Sequence, residues 1–92
     1  MNIDDKYKKK FLLLGKRIKE LRESQNLSQK EFSEKSGLSI KYIKKIESGL
    51  AYGIGFRKHM FKIAFALKTK IEEIIKISID FNPKKHFNYY NT

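Results

Sequence analysis

The chain has 92 residues, and its 21 Lys and Arg outnumber its 10 Asp and Glu, which gives a formal net charge of +11 at pH 7. It has no cysteine, which excludes disulfide scaffolds, thiolate metal sites and cysteine nucleophiles. This length allows a single hydrophobic core. The positive charge predicts a polyanionic partner, with nucleic acid ahead of an anionic membrane.

The N-terminal segment, residues 1–10, carries four lysines and predicts either a basic arm or an extension of the first helix. It lacks the apolar stretch of a signal peptide, and no apolar run in the chain approaches the ~20 residues of a membrane span. We therefore expect a cytoplasmic protein. The first helical pattern starts at Phe11, where Leu14, Ile18 and Leu21 follow the spacing of one helix face.

The second helix is predicted from its ends. Ser28 with Glu31 three residues later has the spacing of a capping box, so the helix runs from about Gln29 to Ser36. Phe32 is its expected core residue. Gly37 suits the left-handed position that follows a helix C-terminus.

A third helix is predicted between Ser39, a second candidate N-cap, and about Ser48. Ile43 and Ile46 fall three residues apart, so both point into the core. Gly49 ends this helix.

Two further helices follow a loop at residues 50–55. The fourth is predicted from apolar residues at offsets 4, 7, 8 and 11, namely Phe56, Met60, Ile63, Ala64 and Leu67. The fifth and shorter helix is predicted from Ile71, Ile74 and Ile75. The fold class predicted for this part of the chain is therefore all-α.

The C-terminal segment, residues 76–92, changes period. Lys76–Phe81 alternates polar and apolar residues, which is typical of a half-buried β-strand. A lone strand has no ladder partner in its own chain, so its expected partner is the same strand of a second copy. Together with two phenylalanines of the fourth helix, the strand predicts an apolar surface that the tail or a second subunit covers. Its residues are Phe61, Phe65, Ile77, Ile79 and Phe81.

The stretch from Leu27 to Gly49 resembles the helix-turn-helix of the phage repressor and Cro family, also called the Xre-like family. The resemblance covers about residues 12–77. The matching positions are Arg22, Ser28, Gln29, Gly37, Ile43, Ile46, Glu47, Ser48, Gly49, Lys62, Ile63, Ala64, Ala66 and Leu67. It implies a five-helix DNA-binding domain at residues 11–75, whose third helix enters the major groove of double-stranded DNA.

The outward positions of the third helix agree with that implication. With Ile43 and Ile46 inward, the exposed residues are Ile40, Lys41, Lys44 and Lys45. Lysine donates to phosphates and to guanine O6 and N7, and isoleucine packs on a thymine methyl. Because no Arg, Asn or Gln stands there, we expect DNA shape and phosphate contacts to carry more of the selectivity.

Further roles follow from the resemblance. It adds five residues to the expected DNA-binding set, namely Ser28, Gln29, Ser39, Tyr42 and Ser48. The Gln29 amide is expected to reach a phosphate or to brace the third helix. Tyr42 is expected either to contact phosphate or to be half-buried against the second helix. Arg22 and Glu47 are expected to form a partly buried ion pair that orients the third helix.

The sequence shows no catalytic constellation, and His59 and His86 lack metal-ligand spacing, so we expect neither an enzyme nor a bound metal or cofactor. The favoured hypothesis is a sequence-specific transcriptional regulator, a repressor, that binds a two-fold operator as a homodimer. One alternative is an antitoxin-like autoregulator whose C-terminal tail binds a protein partner. Another is RNA binding or non-specific coating of DNA.

Overall fold

The structure is a computed structural model that describes residues 3–51 and 56–78, with the backbone alone for residues 3–7 and 76–78. All of its regular elements in these ranges are helices: α1 (Ile3–Ser24), α2 (Gln29–Ser36), α3 (Ile40–Glu47), α4 (Phe56–Ala66) and α5 (Ile71–Ser78). The predicted all-α class is confirmed. No helix in the described ranges is both long and apolar enough to span a bilayer.

Helix α1 is longer than its apolar pattern predicts. It begins at Ile3 and not at Phe11, so residues 3–10 extend the helix, which was one of the two alternatives for this segment. Lysine is a good helix former, so a lysine-rich stretch continues a helix even where no apolar face marks it.

The predicted strand does not begin at Lys76, because α5 continues to Ser78. Ile71, Ile74 and Ile75 already establish a helix, and adding a residue to an existing helix costs less than starting a new element. The rest of the predicted strand, with Ile79 and Phe81, lies outside the described residues, as does the tail to residue 92.

One core joins the helices. Helix α1 packs against α3 and α5, and α2 packs against α3 and α4. The least accessible large side chains come from every helix: Ile18, Phe32, Ile43, Ile46, Ile63, Leu67 and Ile74. At its edge, the rings of Phe11 and Phe56 meet edge to face with centroids 5.2 Å apart, which ties the start of α4 to α1.

The predicted capping box of α2 is present. Ser28 Oγ accepts from the Glu31 amide at 3.0 Å, and Glu31 Oε1 accepts from the Ser28 amide at 2.8 Å. Two amides of the first turn thereby gain partners within the chain. The hydrogen bond from the Ser28 backbone lowers the pKa of Glu31 below its ordinary value of 4.5.

This cap predicts a pH-dependent contribution to stability. Because the folded pKa of Glu31 is depressed, its carboxylate stabilises the fold above the unfolded pKa and loses that effect as the pH falls through the folded pKa. At pH 7, the free energy of unfolding of wild type is therefore expected to be larger than that of Glu31→Gln. This difference should disappear as the pH is lowered. Urea unfolding of both proteins between pH 7 and pH 2 measures it, and a constant difference would contradict the carboxylate's role.

Candidate nucleic-acid interface

The turn between α2 and α3 is held by serine side chains as well as by glycine. Gly37 adopts φ of 77° and its amide donates to the Ser33 carbonyl. The Ser33 hydroxyl donates to the Leu38 carbonyl, and the Leu38 amide donates to Ser36 Oγ at 3.1 Å. Leu38 itself is buried. These contacts fix the path of the chain between the two helices.

Helix α3 presents one cationic side to solvent. Lys41, Lys44 and Lys45 are all exposed, while Ile43 and Ile46 are buried. At 3.6 residues per turn, the three lysines occupy an arc of about 100° opposite the two isoleucines. A helix of about 10–12 Å diameter fits the B-DNA major groove, which is about 12 Å wide. The arc can therefore face the groove while the isoleucines remain in the core.

Both ends of α3 are capped by residues of the expected DNA-binding set. Ser39 Oγ accepts from the Tyr42 amide at 3.1 Å, and the Ser48 hydroxyl donates to the Lys44 carbonyl at 2.8 Å. After Ser48, the Gly49 amide donates to Ile46 O and the Leu50 amide to Lys45 O. This pattern is a Schellman motif, and Gly49 supplies its left-handed residue with φ of 79°.

Glu47, the last residue of α3, joins three helices. Its carboxylate accepts from Arg22 Nε of α1 at 2.6 Å and from Arg22 Nη2 at 3.1 Å, so the expected ion pair is present and bidentate. The same carboxylate accepts from Gln29 Nε2 of α2 at 3.1 Å. Of the two roles expected for Gln29, the structure therefore shows the brace.

Arg22 is the buried centre of this network. Its side chain is 8% exposed and that of Glu47 is 4% exposed. A further hydrogen bond of 2.7 Å runs from Arg22 Nη1 to the Leu27 carbonyl, just before α2. The hydrogen bond to Glu47 raises the pKa of the Arg22 guanidinium above its ordinary value, so the guanidinium stays charged. The pair orients α3 relative to α1 and α2.

Backbone contacts hold the same end of α3 against α1. A Cβ atom on Gly15 would lie 2.2 Å from the Ile46 carbonyl oxygen and 2.9 Å from that of Glu47. A Cβ atom on Gly49 would lie 2.7 Å from Leu12 Cα. No sequence pattern marks Gly15, because its requirement comes from a neighbour 31 residues away in the chain.

Tyr42 lies beside the lysine arc and is half-buried, as expected, but its ring contact is with α4, whereas burial against α2 was expected. Its ring packs on that of His59 in α4, with centroids 4.5 Å apart and an interplanar angle of 65°. Burial raises the pKa of the Tyr42 phenol, so its hydroxyl remains protonated at neutral pH. The contact joins the side of α3 to α4.

The structure leaves Phe65 outside this interface. Phe65 lies on α4 and is 80% exposed, and its contact with a second molecule or the tail stays a prediction. Ile77 lies in the last turn of α5, and its expected partners Ile79 and Phe81 lie outside the described residues. Within the described ranges, no three His, Asp or Glu side chains form a group that could hold a metal ion.

Comparison with known proteins agrees with this architecture. A family model described as Helix-turn-helix matches residues 18–54, which include α2, the turn and α3. A search of curated proteins finds no match. The chain is similar to the solved structure of the restriction-modification controller protein C.AhdI from Aeromonas hydrophila, with 30% sequence identity and a TM-score of 0.65.

That similarity covers 70% of this chain and 94% of the Aeromonas chain. It therefore extends beyond the helix-turn-helix to the helices that surround it. The chain belongs to the Xre-like family of helix-turn-helix DNA-binding transcriptional regulators, the phage repressor and Cro family.

Proposed function

We propose that this regulator is a sequence-specific repressor that binds a two-fold operator as a homodimer, with α3 of each subunit in the major groove. A regulator of this kind acts where the DNA is, which places it in the cytoplasm. The observation that carries the proposal is the exposed arc of Lys41, Lys44 and Lys45 on α3. The name of the Aeromonas relative, a controller protein, supports a regulatory role.

The side chains of the interface form two groups: those that already cap or brace helices in the free protein, and those that are free to contact DNA. Ser28, Ser39 and Ser48 cap helices through their hydroxyl groups, and Gln29 braces Glu47. Their proposed part in binding is to hold backbone and helices in place beside the phosphates. We propose that direct contact with DNA is made by the lysine arc and, beside it, by Ile40 and the Tyr42 hydroxyl.

The proposed base contacts come from Ile40, Lys41 and Lys44, near the N-terminal end of α3. Ile40 opens α3 and is 38% exposed, so its side chain can meet a thymine methyl group. Lys41 and Lys44 donate from long, flexible stems and do not form the planar fork by which arginine reads guanine. We therefore propose that base readout is supplemented by groove width and DNA flexibility.

Selection of bound sequences from random duplex DNA tests the proposal. We expect enrichment of an inverted repeat whose half-sites lie about 10–10.5 bp apart, or a multiple of that spacing, because two copies of α3 must enter the same side of the duplex. Unselective recovery of DNA near 150 mM salt would overturn sequence specificity and favour non-specific coating. A single half-site without a repeat would overturn the dimer.

Lys44→Ala is expected to separate base contact from phosphate contact. If Lys44 reaches a base, the variant should bind the selected operator about tenfold more weakly and lose only about twofold on random DNA. Lys70→Ala removes the same charge from the segment before α5 and serves as the control. Equal losses on both DNAs, with a salt slope lower by about one, would assign Lys44 to phosphate.

A further inference from the structure

Helix α4 carries an exposed aromatic face. Phe61 is 61% exposed and Phe65 is 80% exposed, and they stand four residues apart on one side of the helix. Leaving two phenylalanine rings in water forfeits the free energy that their burial would supply. An adjacent pair of this kind is typical of a surface that another protein surface covers.

An apolar groove lies beside these rings. It runs between α4 and α5 and has a volume of about 390 Å³, with walls formed by Phe56, Arg57, Met60, Phe61, Ile71 and Ile75. Phe61 belongs both to the groove and to the exposed face, so the two features are continuous. A protruding ring and a receiving groove thus occupy neighbouring positions on one surface, as a two-fold contact requires.

The charges around this surface select one arrangement of two copies. Helix α4 carries the cations Arg57, Lys58 and Lys62 and no acidic residue. Helix α5 begins with Glu72 and Glu73, and both are exposed. If α4 of one copy lay along α4 of the other, cations would face cations. If α4 lay across α5 of the other copy, opposite charges would meet.

We propose that a second copy of this chain covers this face, with each α4 crossing the other copy's α5 and each Phe65 entering the other copy's groove. The inference rests on the homodimer of the proposed function and specifies where its subunits meet. It differs from the strand pairing predicted from residues 76–81, of which residues 76–78 are helical in α5 and the rest lie outside the described residues. In this arrangement Arg57 of each copy faces Glu72 of the other.

Sedimentation of the full chain tests the aromatic contact. Phe65→Ser is expected to raise the dimer dissociation constant about 100-fold, because a buried aromatic anchor dominates an interface of this kind. The folded monomer should be unaffected, since Phe65 makes little contact within its own chain at 80% exposure. Leu50→Ser is the matched control, because Leu50 is 57% exposed but lies before α4, outside the groove and the aromatic face.

Two outcomes separate this inference from the function on which it rests. If wild type is a dimer and Phe65→Ser remains an equally stable dimer, the proposed interface is wrong while the homodimer stands. An acidic partner protein would then be the better occupant. A second outcome is that wild type remains monomeric, both free and bound to operator DNA, at a protein concentration 100-fold above its dissociation constant for a half-site. The homodimer is then wrong, and so is the proposed interface.

Complementary charge reversals test the crossing of α4 over α5. Arg57→Glu and Glu72→Lys should each weaken the homodimer about tenfold, because each homodimer would contain two like-charge contacts. A mixture of the two variants should form heterodimers preferentially, since both contacts are then between opposite charges. Native mass spectrometry of the mixture measures this preference.

The mixture also distinguishes contacts between chains from contacts within one chain. A pair of Arg57 and Glu72 inside a single chain would be restored only by the double variant and would produce no heterodimer preference. A parallel α4–α4 contact would instead make Arg57→Glu a tighter homodimer, because the new carboxylate would face Lys58 or Lys62. Either result would overturn the proposed crossing.

Discussion

Replacing Glu47 with alanine is expected to lower the free energy of unfolding by about 3–5 kcal/mol, the usual cost of removing one member of a buried ion pair. The reason is the surroundings of Arg22, whose side chain is 8% exposed. Without Glu47, the guanidinium keeps its hydrogen bond to the Leu27 carbonyl and a 3.9 Å contact with Glu23. A buried cation would then lack the bidentate partner that offsets its loss of hydration.

Thermal and urea unfolding measure this effect. In a chain of this size, a loss of about 3 kcal/mol lowers Tm by at least ~12 °C. Glu23→Ala is the matched control, because it removes a carboxylate that also contacts Arg22 but is 56% exposed. Surface pairs of that kind contribute about 0–1 kcal/mol. Similar losses for the two variants would contradict the assignment of Glu47 as the residue that holds Arg22.

The second large effect is expected at Gly15. Its substitution by alanine places a methyl group 2.2 Å from the carbonyl oxygen of Ile46, where backbone and not a flexible side chain must move. Overpacking of this kind costs about 1–3 kcal/mol or more. Because the displaced atoms belong to the last turn of α3, we also expect the folded fraction of the variant to bind the operator at least about tenfold more weakly.

Gly37→Ala provides the control for Gly15→Ala. Gly37 also lies in the helix-turn-helix and has φ of 77°, but a Cβ atom there would meet nothing within 4 Å. Its substitution is expected to cost about 1–2 kcal/mol of backbone strain and to leave operator affinity per folded molecule unchanged. If both variants lose affinity equally, the close approach of α1 does not set the position of α3.

The ends of α2 and α3 were predictable from sequence because each is determined by residues next to it. Ser28 and Ser39 cap the helices, and Gly37 and Gly49 adopt the left-handed conformation after them. The cationic side of α3 followed from the same local information. Once Ile43 and Ile46 were assigned to the core, the helical period placed the lysines outside.

The sequence is least informative where neighbouring residues carry no strong pattern. Apolar periodicity marks α1 only from Phe11, so residues 1–10 stay open between a basic arm and a helical extension, and the structure shows the extension from Ile3. The strand predicted from Lys76 was wrong for residues 76–78, where α5 continues. An alternating pattern over a few residues can also be accommodated on a helix that is already formed.

Contacts distant in sequence could not be predicted from these patterns. Gly15 meets α3 only in the folded chain, and the brace from Gln29 to Glu47 was one of two open alternatives. The hydroxyl groups of Ser33 and Ser36, which hold the turn, carried no signal because serine is common on exposed helix faces. Each of these contacts depends on the folded arrangement of the helices.

The attachment of α3 to its scaffold has a consequence for altering what the protein recognises. Helix α3 is held against its neighbours by Glu47, Gly49 and the carbonyl of Ile46. Its proposed DNA-facing side is formed by other residues, Lys41, Lys44 and Lys45, which are exposed. Support and reading surface are thus carried by different residues. Transplanting other side chains onto positions 41, 44 and 45 should redirect the protein to new target sites with little change in its melting temperature.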